Sequence, residues 1–270
     1  MSPGTSVDAM ARCERDELIL GQEGQSPAVI VPLIGAGAEE LGAQALAAGR
    51  FGDLVEWRVD AFGEPFDSQH LAHTAAMLRE ASRRPLIATV RTVHEGGGFE
   101  GDDEDYLRLV ETLADSPAVN LVDVEAARST ARRCIVRAGE QGTAVIASHH
   151  DVTGTPEVGR MVDELAQLES TGAQFVKLAV MAHSAADTAR LLLASAQHHE
   201  VAGVPFLTMA MGPAGLASRV VGHLFGSCAT FASLGDLSSA PGQPSVEGLR
   251  AVLAEFARLG DNTLPSRELS

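Results

Sequence analysis

The chain has 270 residues, of which 45% are hydrophobic, and a formal net charge of −16 from 36 acidic and 20 basic side chains. That length suits one large domain with a sizeable core, and the acidic balance argues against nonspecific nucleic-acid binding or docking on an anionic membrane. Cys13, Cys134 and Cys228 stand far apart without CxxC spacing, which argues against a disulfide framework or a zinc site and fits a reducing cytosol.

Residues 1–26 read as an N-terminal extension. Arg12, Glu14, Arg15, Asp16 and Glu17 interrupt any apolar signal stretch, and no run in the chain reaches the roughly 18 to 20 apolar residues of a membrane span. A cytoplasmic protein with no membrane partner is expected. ELILGQEGQSP (17–27) reads as a short strand and turn, a hairpin expected to close the bottom of the barrel that follows.

From 27 to 260, β-rich runs alternate with amphipathic stretches. The runs are AVIVPLI (28–34), DLVEWRVD (53–60), PLIATVR (85–91), VNLVDVE (119–125), TAVIASHH (143–150), FVKLAV (175–180), PFLTMAM (205–211) and CATFASL (228–234). Helix-like segments lie between them, among them AEELGAQALAAG, DEDYLRLVETLAD and TARLLLASAQHH. The last run is followed by SVEGLRAVLAEFARLG, with Ser245 as its N-cap. Eight such repeats predict an α/β protein, a parallel (β/α)₈ TIM barrel. An open doubly wound sheet shares the alternation, but Gly35 and Gly37 in IGAGAEE lack the third glycine of its fingerprint. The polar tail DNTLPSRELS (261–270) is expected to be flexible.

Catalytic groups of such a barrel project from the C-terminal ends of its strands, and period-two alternation says which side chains face the lumen. Glu56, Arg58 and Asp60 share one face of their strand. Arg91 follows Ile87 and Thr89, Asp123 pairs with Glu125, and one strand ends in His149 and His150. Lys177 sits between Phe175 and Ala179. A barrel without a site would carry branched apolar residues at these places. Taken singly, Glu56 with Arg58 is equally a structural ion pair, and Asp123 and Glu125 equally hold partners in place. Of the two adjacent histidines at most one can face the lumen. No second histidine stands at metal-ligand spacing, and HHE (198–200) is read as facing solvent.

Lys177 differs from all of these because it is the only lysine in the sequence, the other 19 of the 20 basic residues being arginine. Arginine stays charged and is a poor nucleophile, whereas a desolvated lysine gives up its proton more readily. A primary amine in a closed pocket can attack a ketone or aldehyde and form a Schiff base. Only lysine offers that chemistry at this position.

In order and spacing, EWRVD (56–60), TVRTVHEGG (89–97), SHHD (148–151) with Thr155-Pro156, and FVKLAVM (175–181) form one pattern with TMAMGPAGLASR (208–219), LFGSCATFASL (224–234) and SAPGQ (239–243). Together they resemble the type I 3-dehydroquinate dehydratase family over nearly the whole chain. The resemblance implies a lyase of the shikimate pathway whose small-molecule partner is 3-dehydroquinate, with no metal, no organic cofactor and a homodimeric state. It implies that Lys177 forms a Schiff base with the substrate ketone, that His150 moves the protons and that Glu95 orients His150. Arg219 is then the carboxylate ligand, helped by Ser239 and Gln243. Glu56, Arg58 and Arg91 hold ring hydroxyls, Met209 and Met211 pack the ring, and SSAPGQP (238–244) is a lid. The sequence departs from the commoner family pattern at Pro32, at His149, at GPAG (212–215) and in the long acidic turn 94–106. A class I aldolase-like barrel is the alternative enzyme, and a catalytically inactive barrel serving as a binding module is the alternative outside enzymes.

Overall fold

The computed structural model describes residues 11–13, 18–20, 26–64, 66–235 and 239–261. Two short strands come first, β1 (Ala11–Cys13) and β2 (Leu18–Leu20), paired antiparallel with Cys13 opposite Leu18. A hairpin is therefore present, and its first arm, Ala11–Cys13, lies upstream of ELIL. Its expected seat on the barrel bottom rests on segments 14–17 and 21–25, outside the described residues. The tail beyond 261 lies outside them as well.

Eight parallel strands follow: β3 (Ala28–Leu33), β4 (Leu54–Arg58), β5 (Leu86–Thr89), β6 (Leu121–Glu125), β7 (Ala144–Asp151), β8 (Phe175–Met181), β9 (Phe206–Met211) and β10 (Ala229–Phe231). They pair in chain order, and β10 returns to pair with β3. The seam between β9 and β10 is drawn together by the Cys228 N–H donating to the Phe206 carbonyl at 2.8 Å and by a bridge between Phe206 and Ser227. The result is a nearly closed barrel. Eight α-helices cross outside it: α1 (Ala38–Ala48), α2 (Ser68–Ser82), α3 (Asp103–Asp115), α4 (Ala131–Glu140), α5 (Val158–Glu169), α6 (Ala185–His199), α7 (Leu216–Val221) and α8 (Val246–Asp261).

Period two sorts each strand into an outer and an inner row. Val29, Val31 and Leu33 of β3, like Val55 and Trp57 of β4, face outward into the layer shared with the helices. Ile30, Leu54, Ile87, Leu121, Ile146, Phe175 and Leu207 fill the lumen. Below that plug, the side chains preceding β4, β6 and β8 close its backbone. Asp53, Asn120 and Gln174 accept the N–H groups of Val29, Leu86 and Val145 at 2.8 to 2.9 Å. Bare strand ends would leave those donors unpaired.

Local chemistry sets the helix boundaries. The Asp102 carboxylate accepts the Asp105 N–H at 2.8 Å and opens α3 with three acidic residues, which suits the positive end of the helix dipole. Ser184 and Asp187 form a capping box, so α6 starts three residues before the predicted TARLLL stretch. The Ser245 hydroxyl accepts the Gly248 N–H, as predicted for the N-cap of α8. One reading fails here: His198 is buried, with Nε2 3.0 Å from Glu169 and its ring edge-on to Phe206. Only His199 and Glu200 of HHE face solvent, because the helix turns His198 toward the sheet.

Candidate active site

Above the apolar plug the inner rows change character on five successive strands. Leu54 is followed by Glu56 and Arg58, Ile87 by Thr89 and Arg91, and Leu121 by Asp123 and Glu125. Ile146 is followed by Ser148 and His150, and Phe175 by Lys177. Of these, Glu56, Arg58, Thr89, Arg91, His150 and Lys177 line a cavity of about 260 Å³ with others from β9, α7 and the loop after β10, while Asp123, Glu125 and Ser148 stand behind them. All eleven residues singled out in the sequence border it: Glu56, Arg58, Arg91, Glu95, His150, Lys177, Met209, Met211, Arg219, Ser239 and Gln243.

Lys177 is 5% exposed. Its Nζ donates to Asp123 Oδ2 at 3.1 Å and lies 3.7 Å from Glu56 Oε1. The Phe231 ring sits 4.6 Å from the same nitrogen, a contact that favours a cation. The burial expected of this lysine is therefore present, and its surroundings are more polar than burial alone suggests. Thr89 donates to Glu56 Oε1 at 2.9 Å and so holds that carboxylate beside the amine.

Arg91 is the hub. Nη2 donates to Asp123 Oδ1 at 2.6 Å, and Nη1 reaches Glu125 Oε1 at 3.0 Å, Glu95 Oε2 at 3.1 Å and Ser148 Oγ at 3.2 Å. Burial works against charge on every member. For Arg91 the three carboxylates outweigh it and raise its pKa. For Asp123, Arg91 and Lys177 outweigh it and hold the carboxyl well below the usual range. Glu125 goes the other way, raised because burial dominates. Arg58 forms a two-pronged pair with Asp60, at 2.8 and 2.7 Å, and donates to the Ser239 carbonyl at 3.4 Å. That last bond ties the loop after β10 to β4.

His150 Nδ1 lies 2.8 Å from Glu95 Oε2. Burial raises the Glu95 carboxyl, but the two neighbouring imidazoles and Arg91 bring it down to about 2. An ionised carboxylate only accepts, so the His150 proton is on Nδ1 and the Nε2 lone pair is free. Burial first, and then Arg91, hold the imidazole at about 3, so it is neutral at physiological pH. The HEGG turn delivers Glu95 through two glycines. Gly96 has φ +84°, and a Cβ on Gly97 would stand 2.2 Å from the Arg91 carbonyl, so the chain passes too close there for any side chain.

Arg219 lies on α7, a helix pinned to β9 by Ser218, whose hydroxyl accepts the Ala210 N–H at 2.8 Å. Thr230 of β10 donates to the Arg219 carbonyl. The guanidinium is 2% exposed and none of its three nitrogens has a hydrogen-bond partner among the described residues. Burial pushes it down to about 10. Ser239 and Gln243 border the same cavity and are joined to each other at 2.8 and 3.1 Å. The loop crosses close to GPAG: the Gly212 N–H donates to the Pro241 carbonyl, and a Cβ on Gly242 would stand 2.3 Å from the Gly212 oxygen.

Asp60, Thr89, Ser148 and Phe231 belong to this arrangement and were not among the eleven. Period two alone marks Thr89, Ser148 and Phe231 as lumen-facing, whereas only the fold brings the Gly98 and Arg91 amides to Asp60, at 3.0 and 3.2 Å. Among the described residues, no group of three or more His, Cys, Asp and Glu side chains is placed to hold a metal ion, and no helix is long and apolar enough to cross a membrane.

Fold and cavity together define a (β/α)₈ barrel with a charged, enclosed site at the C-terminal ends of its strands. The family model for type I 3-dehydroquinase matches residues 29–259. A 3-dehydroquinate dehydratase of Enterococcus faecalis is 36% identical over 236 residues, covering 86% of this chain and 93% of the relative. The crystal structure of 3-dehydroquinate dehydratase from Geobacillus kaustophilus has a TM-score of 0.84 at 32% identity, covering 92% of this chain and 96% of the other. That of the type I enzyme from Clostridium difficile, described with covalent modified comenic acid, has a TM-score of 0.84 at 29% identity, covering 90% and 96%. The chain belongs to the type I 3-dehydroquinase family.

Proposed function

We propose that the chain dehydrates 3-dehydroquinate to 3-dehydroshikimate through a Schiff base on Lys177. The observation that carries the reading is one cavity bordered by the only lysine and by a buried guanidinium without a partner among the described residues. An amine suits a ketone. A bare guanidinium suits a carboxylate, which it can receive on two parallel N–H groups. A substrate with both groups fits both ends.

In this reading the Arg219 fork takes the carboxylate, and Ser239 and Gln243 cover it. Lys177 adds to the C3 ketone, and loss of water leaves an iminium that acidifies the C2 proton. His150 takes that proton on Nε2 while Glu95 holds Nδ1–H and supports the imidazolium. The electron pair from C2 expels the C1 hydroxyl, which leaves as water with the proton from His150. Hydrolysis then returns Lys177 and releases the conjugated enone. One water leaves in the net reaction. Neutral His150 is the form that can take a proton, and its return of the same proton needs no further acid. Arg58 and Arg91 are engaged with carboxylates, so their part in this reading is to hold Asp60, Asp123 and Glu95 while bordering the ring. Met209 and Met211 pack the ring's apolar face.

Borohydride with 3-dehydroquinate tests the reading. One ligand mass is expected on the peptide containing FVKLAV, beside an ultraviolet rise from the enone in untrapped samples. Turnover without a trapped adduct would remove the Schiff base, and a trapped adduct without an enone would remove the dehydration. The homodimer belongs to the same proposal, and a monomer mass in light scattering ends that part.

A further inference from the structure

His149 and His150 are neighbours on β7, and both meet one carboxylate. His150 Nδ1 faces Glu95 Oε2 at 2.8 Å, and His149 Nδ1 lies 3.4 Å from the other oxygen, Oε1. That oxygen is buried and accepts no hydrogen bond from the described residues, so the His149 ring is what answers its charge. The far nitrogen, Nε2, lies 3.4 Å from Glu164 Oε1 on α5. A carboxylate oxygen thus stands at each nitrogen of His149. A neutral imidazole has one N–H and one lone pair, whereas an imidazolium has two N–H groups. This setting suits the cation.

The charged groups that act most strongly on His149 are acidic, Glu95 from the turn after β5, Glu164 from α5 and Asp151 from its own strand, while the Arg91 cation holds the far oxygen of Glu95. With Glu95 first, these carboxylates raise its pKa against the opposing effect of burial. His150 has burial, Arg91 and Lys177 against its charge and Glu95 for it, with a further attraction from Asp123. The two adjacent rings are therefore shifted in opposite directions across one carboxylate.

We propose that His149 is a positioning residue acting through Glu95: its charge state sets how strongly Glu95 supports a proton on His150, and so sets the acid limb of turnover. The inference rests on His150 as the proton carrier. While His149 is a cation it draws on Glu95 and opposes a second positive charge on its neighbour. Once it is neutral, Glu95 serves His150 alone, and His150 becomes the stronger base. Turnover rises with pH through the His149 ionisation.

The test compares pH profiles of kcat and kcat/KM, with 3-dehydroquinate as substrate, for the wild type, His149→Asn and Glu164→Gln. Imidazole NMR titration of the same proteins follows the His150 ring. The wild type should show an acid limb above the ordinary histidine range. Asparagine is neutral at every pH, so His149→Asn should lose that limb and exceed the wild-type kcat at low pH by about 3- to 10-fold, one pKa unit being tenfold. Glu164→Gln should move the limb to lower pH without removing it. This variant carries the decision if His149→Asn folds poorly. A merely structural His149 would scale the rate equally at every pH, and profiles of unchanged shape overturn the inference. A wild type without turnover sinks the function reading instead. The NMR arm still decides the coupling: a His150 signal that ignores His149 overturns it.

Discussion

Arg91 and Arg219 are buried guanidiniums on the wall of one cavity, 3% and 2% exposed. Arg91 meets three carboxylates and a hydroxyl, while Arg219 meets no partner among the described residues. Charge pairing raises the pKa of the first, and burial lowers that of the second. A buried charge needs partners, and when the protein supplies none the missing partner points to a ligand. One side of the cavity is finished by the fold, and the other is left open to be finished by what binds.

Removing each arginine should separate the two sides. Arg91→Met takes the shared guanidinium from Glu95 and Glu125 and leaves buried Asp123 with Lys177 alone. Breaking a buried pair costs about 3–5 kcal/mol, so urea or thermal unfolding should show the largest loss of any variant here. A stable Arg91→Met protein breaks the comparison. Arg219→Met removes a charge that no described residue pairs, so the unliganded protein should hold or gain stability. Its KM should rise roughly 10- to 150-fold, from about 1.5–3 kcal/mol for a lost charge-assisted hydrogen bond. A raised stability with an unchanged KM would turn Arg219 into an unexplained buried cation.

A small carboxylate ligand should raise wild-type stability by about 2.7 kcal/mol at a hundred times its Kd, and should leave Arg219→Met unmoved. Acid should act on the Arg91 side. His150 is held at about 3, below its ordinary value, so its contribution is present above about 6.5 and is lost as pH falls toward 3. Glu95, held at about 2, adds a loss in the same direction from about 4.5 downward. Unfolding curves between pH 7 and 3 should therefore shift in Arg219→Met as in the wild type. The smallest effects belong to Ser239→Ala and Gln243→Ala, each about 0.5–1.5 kcal/mol in KM, because they cover the carboxylate after Arg219 has received it.

Most of the barrel was legible because each strand obeys period two and each repeat has the same order. Where a stretch is short, that signal runs out. Ala11–Cys13 has three residues, too few for alternation to mark a strand, and the start of α6 depends on the Ser184 cap rather than on apolar spacing. The site was legible in its residue types, since charges stood where a barrel without a site would carry Val, Ile or Leu. What the sequence could not give was which charge answers which. Arg58, Arg91 and Arg219 are one letter. Only the positions of Asp60, Asp123, Glu95 and Glu125 in space separate the two paired arginines from the open one. His198 makes the same point from the outside of the barrel, where Glu169, 29 residues away, decides its setting.

The single lysine also changes how the molecule meets amine-directed reagents. Guanidiniums resist acylation at neutral pH because they remain protonated, and no lysine lies on the outer surface. The one ε-amine stands at 5% exposure inside a cavity partly covered by the loop through Pro241. Bulky activated esters should leave every side-chain amine untouched. A reagent small enough to enter should mark one side chain besides the chain's α-amine, with substrate protecting it. Ordinary amine acylation thus becomes a selective probe of this cavity.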